Sequence, residues 1–339
     1  VGSRLLLILV SMPLAGCAVQ PGRLPVLGIE EASGIVRSGD DLYIVGDHEA
    51  GTYYRVTLAP GESGGIRLSP ERLERRPMGP GPLAADLEAI GLLADGRLVV
   101  LSERLGALLD ARGLVAGYGR RLSEVGGRGC EGLAVRALPG AASRVAVLWE
   151  GGYPEVAVLP ASLRERVRGV AMPPAILVHD LPAGAEAVEV GDDARLVELD
   201  VPRPPGGEPT AQRFRAPDLV WHRLQRDDPE SWGFIVLLSS GWAAPPAPGS
   251  IEECAKTGPD GRPLRWCHKW LQRFTAEGAR VGEPFDLEDV LPEPLRTVNW
   301  EGLAWFEAER TLVLVYDEKV ADRAVDPQEA VVVPLPEGW

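Results

Sequence analysis

Cysteine, histidine and basic charge are all scarce in this chain, and each scarcity removes a class of function. Only four cysteines and four histidines occur in 339 residues. The histidines (His48, His179, His222 and His268) show no ligand spacing, so an imidazole-built zinc site is not indicated. His179 and His222 read as surface residues of strands or loops. No Gly-x-Ser-x-Gly elbow is present, which argues against a serine hydrolase of that kind. Lys and Arg total 35 against 49 Asp and Glu, a net charge of −14, and no basic cluster compensates. A phosphate backbone would meet repulsion, so nucleic acid is not expected as a partner. Aromatic residues make up only 6%, yet the hydrophobic share is 45% and nine tryptophans contribute to it, enough for a sizeable core.

The N-terminal apolar run, Leu5 to Val10, is too short to span a bilayer as a helix. Arg4 precedes it and Leu14-Ala15-Gly16-Cys17 closes it, an order that resembles the signal and lipobox of bacterial lipoproteins. On that resemblance residues 1–17 are a lipoprotein signal peptide with Cys17 the lipidated residue, 18–27 a tether, and 28–339 a single folded domain. The other reading is an ordinary secretory peptide cut near Ala15, with Cys17 free. Either way the domain is exported. As a lipoprotein it is held at the cell envelope by its N-terminal lipid alone. Ala18 then implies the periplasmic face of the outer membrane, if the cell has two membranes. Export permits disulfides. Cys254 and Cys267 flank twelve residues of Gly/Pro-containing loop, so a bridge between them is expected. It would be worth ~3 kcal/mol in the chain-entropy model. Cys130 is left over, directly before Glu131, and reads as a buried, inert thiol.

The rest of the chain is organised by a repeat. Asn299-Trp300-Glu301-Gly302-Leu303-Ala304 shares its core with Glu131-Gly132-Leu133-Ala134. Glu88-Ala89-Ile90-Gly91-Leu92 and Glu31-Ala32-Ser33-Gly34-Ile35 are looser copies. Each is answered by an apolar run closing on an acid: LYIVGD to Asp47, LVVLSE to Glu103, VAVLWE to Glu150 and LVLVYD to Asp317. The spacings from leading to closing acid are 16, 15, 19 and 16 residues, the length of two strands and a tight turn. A fifth, degenerate start lies at Asp218-Leu219-Val220-Trp221 and lacks its closing acid. A repeated antiparallel unit predicts an all-β fold, a single β-propeller of five or six blades, with a short helical insertion around 160–172. Residues 60–83, rich in Gly, Pro and Arg, read as an exposed connection.

In an antiparallel hairpin the first residue of one strand lies beside the last of the next. Glu31 and Asp47 therefore share a sheet end, as do Glu88 and Glu103, Glu131 and Glu150, and Glu301 and Asp317. In a propeller these eight carboxylates would gather at one mouth of the channel. Crowded like charges demand neutralisation. A hard cation such as Ca²⁺, held by some of the eight, would supply it. Hydrogen bonds to backbone N–H groups, or pairing with Arg37, Arg104 and Arg128, would serve instead. His48, Arg104 and Lys319 follow closing acids and form a candidate anion-contacting rim.

The Glu-Gly-Leu-Ala copies, the Asp86-Leu87-Glu88 start and the apolar-to-acid strands together resemble the phytase-like ("esterase-like activity of phytase") and SdiA-regulated propeller families. That resemblance implies an exported or lipid-anchored propeller, calcium, and a phosphoesterase activity. Two functions follow. One is binding of a small-molecule ligand or an envelope protein at the acidic mouth. The other is calcium-dependent phosphoester hydrolysis there, which would need cations around the transferring group. The thin basic complement favours binding.

Overall fold

A computed structural model of the chain describes residues 22–26, 29, 32–46, 51–60, 66–78, 86–118, 129–151, 173–202, 214–241, 266–291, 293–296, 298–308, 310–317, 329–336 and 338–339. The signal segment with Cys17, the insertion at 160–172, Glu31, Asp47, His48, Arg128, Cys254 and Lys319 lie outside these residues. For Asp317 and Cys267 only the backbone is described.

Short apolar runs separated by turn residues form strand after strand. Leu93-Ala94-Asp95-Gly96-Arg97 is typical: Gly96 takes a positive φ of 85°, and the Leu93 and Arg97 backbones bond across the turn at 2.9 Å. The first strand is β1 (Gly22–Val26). Blade one then comprises β2 (Ala32–Ser38), β3 (Asp41–Gly46), β4 (Thr52–Pro60) and β5 (Ile66–Pro77). Blade two has β6 (Leu87–Leu92), β7 (Leu98–Ser102), β8 (Ala107–Asp110) and β9 (Gly113–Gly117). Blade three has β10 (Cys130–Ala137), β11 (Ser143–Trp149), β12 (Ala175–Leu181) and β14 (Arg195–Glu198). Between its last two strands, β13 (Val188–Glu189) crosses to the outer edge of blade two and pairs parallel with β9. Blade four is β15 (Phe214–Arg223), β16 (Trp232–Gly241), β17 (Trp266–Thr275) and β18 (Arg280–Asp286). Blade five is β19 (Asn299–Phe306), β20 (Thr311–Asp317) and β21 (Glu329–Pro334), completed by β1.

The inner strands β2, β6, β10, β15 and β19 touch in succession and close a ring, so the fold is a five-bladed β-propeller. Among the described residues there is no sixth sheet, and the helical content is three short 3₁₀ turns. No described helix is long and apolar enough to cross a membrane.

Each blade is covered on both faces, which explains why its strands read as unbroken apolar runs. In β11, Val145, Val147 and Trp149 pack toward blade two, while Ala146 and Leu148 pack toward blade four. The core is thus five clusters, one in each seam between neighbouring blades. Fully burying a Leu or Val in such a seam contributes about 1.5–3 kcal/mol.

Three expectations are corrected. Residues 22–26, assigned to a tether, form the strand that closes the ring, with Gly22 opposite Val332 and Val26 opposite Glu329. Half of the connection expected over residues 60–83 is β5, which pairs with β4. The disulfide is overturned: the described residues contain none, and Cys130 is the free, buried cysteine among them. Cys267 stands in β17 rather than in the loop before it, and loop composition says nothing about the ~4.4–6.8 Å Cα separation that a bridge requires.

Candidate functional site

Every inner strand is interrupted near its start by a bulge. In β10, Cys130 pairs with Trp149 and Gly132 with Leu148, which leaves Glu131 outside the ladder. The same skip falls at Glu88 in β6, at Glu301 in β19 and at Ser33 in β2, whereas β15 skips Ala216 and Pro217. A bulge re-aims its side chain. Glu88, Glu131 and Glu301 thereby leave the seam alternation and come within electrostatic reach of one another.

The residue after the bulge must be small where inner strands approach closely. A Cβ on Gly132 would stand 2.9 Å from the Asp218 Cα of the next blade, and one on Gly34 would stand 2.5 Å from the Ala89 Cα. This register also corrects the repeat. Ser33, not Glu31, occupies the bulge position of blade one, and Gly34 corresponds to Ala89 rather than Gly91. An offset of two residues keeps every side chain on its face, so alternation alone does not reveal it.

The closing acids follow the paired ends of the second strands: Glu103 after Ser102, and Glu150 after Trp149. Asp317 pairs through its backbone with Asn299. Blade four carries Ser239 where the others have an acid, with Arg215 opposite it in the ladder.

Two groups of side chains result. In the first, carboxylate oxygens of Asp86, Glu88 and Glu103 lie within 4.8 Å of one another, all partly exposed. Asp86 has a left-handed backbone, φ 64°, which a short polar residue tolerates but which still stores strain. Its carbonyl accepts from the Glu103 N–H at 3.0 Å. The Gly129 N–H donates to Glu103 Oε1 at 2.6 Å and fixes that carboxylate from the neighbouring blade. In the second group, Arg215 reaches between blades. Its Nε lies 2.6 Å from Glu150 Oε2, and one terminal nitrogen lies 3.3 Å from each carboxylate oxygen of Glu301. Asn299 Nδ2 also donates to Glu301 Oε1. Glu131 sits among these groups. Burial, then Glu150 and Glu88, push its carboxyl well above the usual range against the opposing pull of Arg215. Burial works against the charge of Arg215, but Glu301, Glu150, Glu131 and Glu88 outweigh it and raise its pKa.

The blade without a closing acid therefore supplies the cation that neutralises its neighbours' acids. It also supplies a clasp. Buried Asp218 accepts through Oδ1 from the Leu219 N–H at 2.8 Å and through Oδ2 from the Leu303 N–H at 2.7 Å, and the Leu133 N–H donates to the same carboxylate. One carboxylate thus ties the inner strands of blades three, four and five. Burial raises its pKa strongly, although the three backbone bonds oppose the shift.

The structure brings together Glu88, Glu103, Glu131, Glu150 and Glu301 of the predicted acids, and adds Asp86 and Arg215, which sequence reasoning did not place in the site. Of the expected cationic partners, Arg104 is exposed, and Arg37 lies at the far end of β2 with its guanidinium 4.2 Å from the Phe306 ring centroid. His179 and His222, expected on the surface, are buried at 7% and 8% exposure. His179 Nε2 is hydrogen-bonded to the Tyr118 hydroxyl at 2.9 Å. The Cys130 thiol is pushed up by burial, then by Glu131 and Glu103, which keeps it inert.

Chemically, the first group offers hard oxygen donors without nitrogen or sulfur, the set that suits an alkaline-earth cation. The second is a self-compensating ion-pair network.

No family model matches the chain, and no curated protein resembles it in sequence. Solved structures align along most of its length. A streptogramin B lyase aligns over 92% of this chain and 97% of its own, at 10% identity and a TM-score of 0.36. A catalytically inactive virginiamycin B lyase from Staphylococcus aureus, with quinupristin, aligns over 93% and 99% at 10% identity and 0.37. An α-L-arabinanase mutant from Cellvibrio cellulosa aligns over 94% and 95% at 12% identity and 0.41. At such values they assign neither family nor chemistry. The resemblance to phytase-like and SdiA-regulated proteins narrows to the five-bladed propeller that the sheets themselves form.

Proposed function

We propose that this chain is an exported, lipid-anchored propeller that holds Ca²⁺ at its acidic mouth and there binds a small-molecule ligand or an envelope protein. The observation that carries the reading is the convergence of Asp86, Glu88 and Glu103 within 4.8 Å. Ca²⁺ takes six to eight oxygens in irregular geometry, whereas Mg²⁺ demands a near-ideal octahedron. Three carboxylates supply at most six oxygens, so water or a ligand oxygen would complete the shell. Such a shell explains how an acidic mouth can attract an oxygen-rich ligand. Binding is preferred to phosphoester hydrolysis because Arg215, which reaches between the acids of blades three and five, is already engaged by Glu150 and Glu301.

The test is thermal unfolding with Ca²⁺ and with chelator. At a hundredfold excess over Kd the bound ion should stabilise the fold by roughly 2.7 kcal/mol. Glu88→Gln should remove most of that difference. A melting curve that neither Ca²⁺ nor chelator moves would sink the calcium site. Anchoring is separate: Cys17→Ser should abolish lipid labelling, and unchanged labelling would exclude the lipobox.

A further inference from the structure

The far ends of the inner strands carry a different chemistry from the mouth. Arg136 is the penultimate residue of β10 and Arg223 the last of β15, whereas Glu131 and Arg215 stand at the starts of those strands. The Arg136 guanidinium carbon lies 4.7 Å from the Trp232 ring centroid and 5.2 Å from that of Trp221. That of Arg223 lies 5.1 Å from the same Trp232 ring. Two guanidiniums thus share one indole.

Neither arginine has an ion-pair partner among the described residues, unlike Arg97, Arg144, Arg215 and Arg280. Nε of Arg136, Nε of Arg223 and Nε1 of Trp221 are buried with no hydrogen-bond acceptor. Trp221 is itself only 8% exposed. Arg144, directly across the ladder from Arg136, has its charge answered by Asp180 through bonds of 2.7 and 2.8 Å. Glu230 acts on Arg136 through space but makes no ion pair with it. Burial and the charge of Arg144 both work against the Arg136 cation, and Glu230 and Asp180 offset them only in part.

We propose that the Arg136–Trp232–Arg223 stack is an oxyanion-binding site at the pole opposite the acidic mouth. It would take a tetrahedral oxyanion, sulfate or phosphate, free or as the terminal group of a larger ligand. Guanidinium forks match such oxygens in pairs, and stacking on indole fixes the forks in advance, so little side-chain freedom is lost on binding. This inference does not depend on the calcium reading.

The experiment is calorimetric titration of the full chain with sodium phosphate and sodium sulfate against chloride, at fixed ionic strength and with chelator present. Saturable binding is expected. Arg223→Gln and Arg136→Gln should each weaken it at least tenfold. Arg136→Lys should also weaken it, because the charge survives and the fork does not. Glu230→Gln, on an exposed residue, should tighten it about threefold; it and Arg223→Gln decide the matter if Arg136 variants fail to fold. Vesicles containing phosphatidylglycerol, set against neutral vesicles, separate the sources. Arg223-dependent co-sedimentation assigns a lipid headgroup, and Arg223-dependent binding of free phosphate alone assigns a soluble ligand. Unsaturable binding, wild-type affinity in Arg223→Gln, or loss of binding in Glu88→Gln would overturn the site.

Discussion

Glu131 is crowded by Glu150 and Glu88, and the charge of Arg215 opposes them. Its folded-state pKa is raised, so the folded protein holds that proton more tightly than the unfolded chain does. The resulting stability is complete below the unfolded value near 4.5 and is lost as pH rises through the folded one. Without metal, Glu131→Gln should therefore match the wild type at pH 4 and be the more stable of the two at pH 8, read from denaturant midpoints. Arg215→Gln should do the opposite. It strands Glu150 and Glu301, and a loss of roughly 3 kcal/mol is expected in the same measurement. The double change with Glu301→Gln should recover part of it. The acids were legible in the sequence because they recur. Arg215 was not, because it occurs once, in the copy from which the closing acid is missing.

Among the elements, inner and middle strands were readable because both faces are buried and their apolar runs are continuous. Two edge strands, β1 and most of β5, were not. β5 reads IRLSPERLERRP and β1 reads GRLPV, with the charge and proline that keep an exposed edge from pairing with other molecules. The same protection makes such a strand look like a loop. Deleting residues through Leu24 should consequently destabilise the domain. At about 1 kcal/mol for each backbone hydrogen bond of β1 lost, the fall in unfolding free energy should be about 2 kcal/mol or more. An unchanged melting temperature would show that β1 is dispensable.

For the whole molecule, stability is squeezed from both sides of neutral pH. Burial lowers the pKa of His179 and of His222 from 6.5 to about 4. Both are neutral in the fold, and their contribution is present above 6.5 and lost as pH falls toward 4. Each can withdraw about 3 kcal/mol at the acid limit. His222→Gln should flatten the fall in melting temperature between pH 6.5 and 4, and a slope identical to wild type would refute the assignment. The blade count followed from five repeat starts, but how the ring closes did not, since closure depends on a segment that carries no repeat.

That closure has a consequence in time. β1 and β21 meet at Gly22 and Val332, so an early strand waits for one made far later in the chain. Contacts this distant along a chain are slow to form. Until then the edge of β21, with its run of three valines, is open to other nascent chains. A circular permutant that places β1 directly after β21 would turn the slowest pairing into a hairpin, and should refold faster and aggregate less than the natural order.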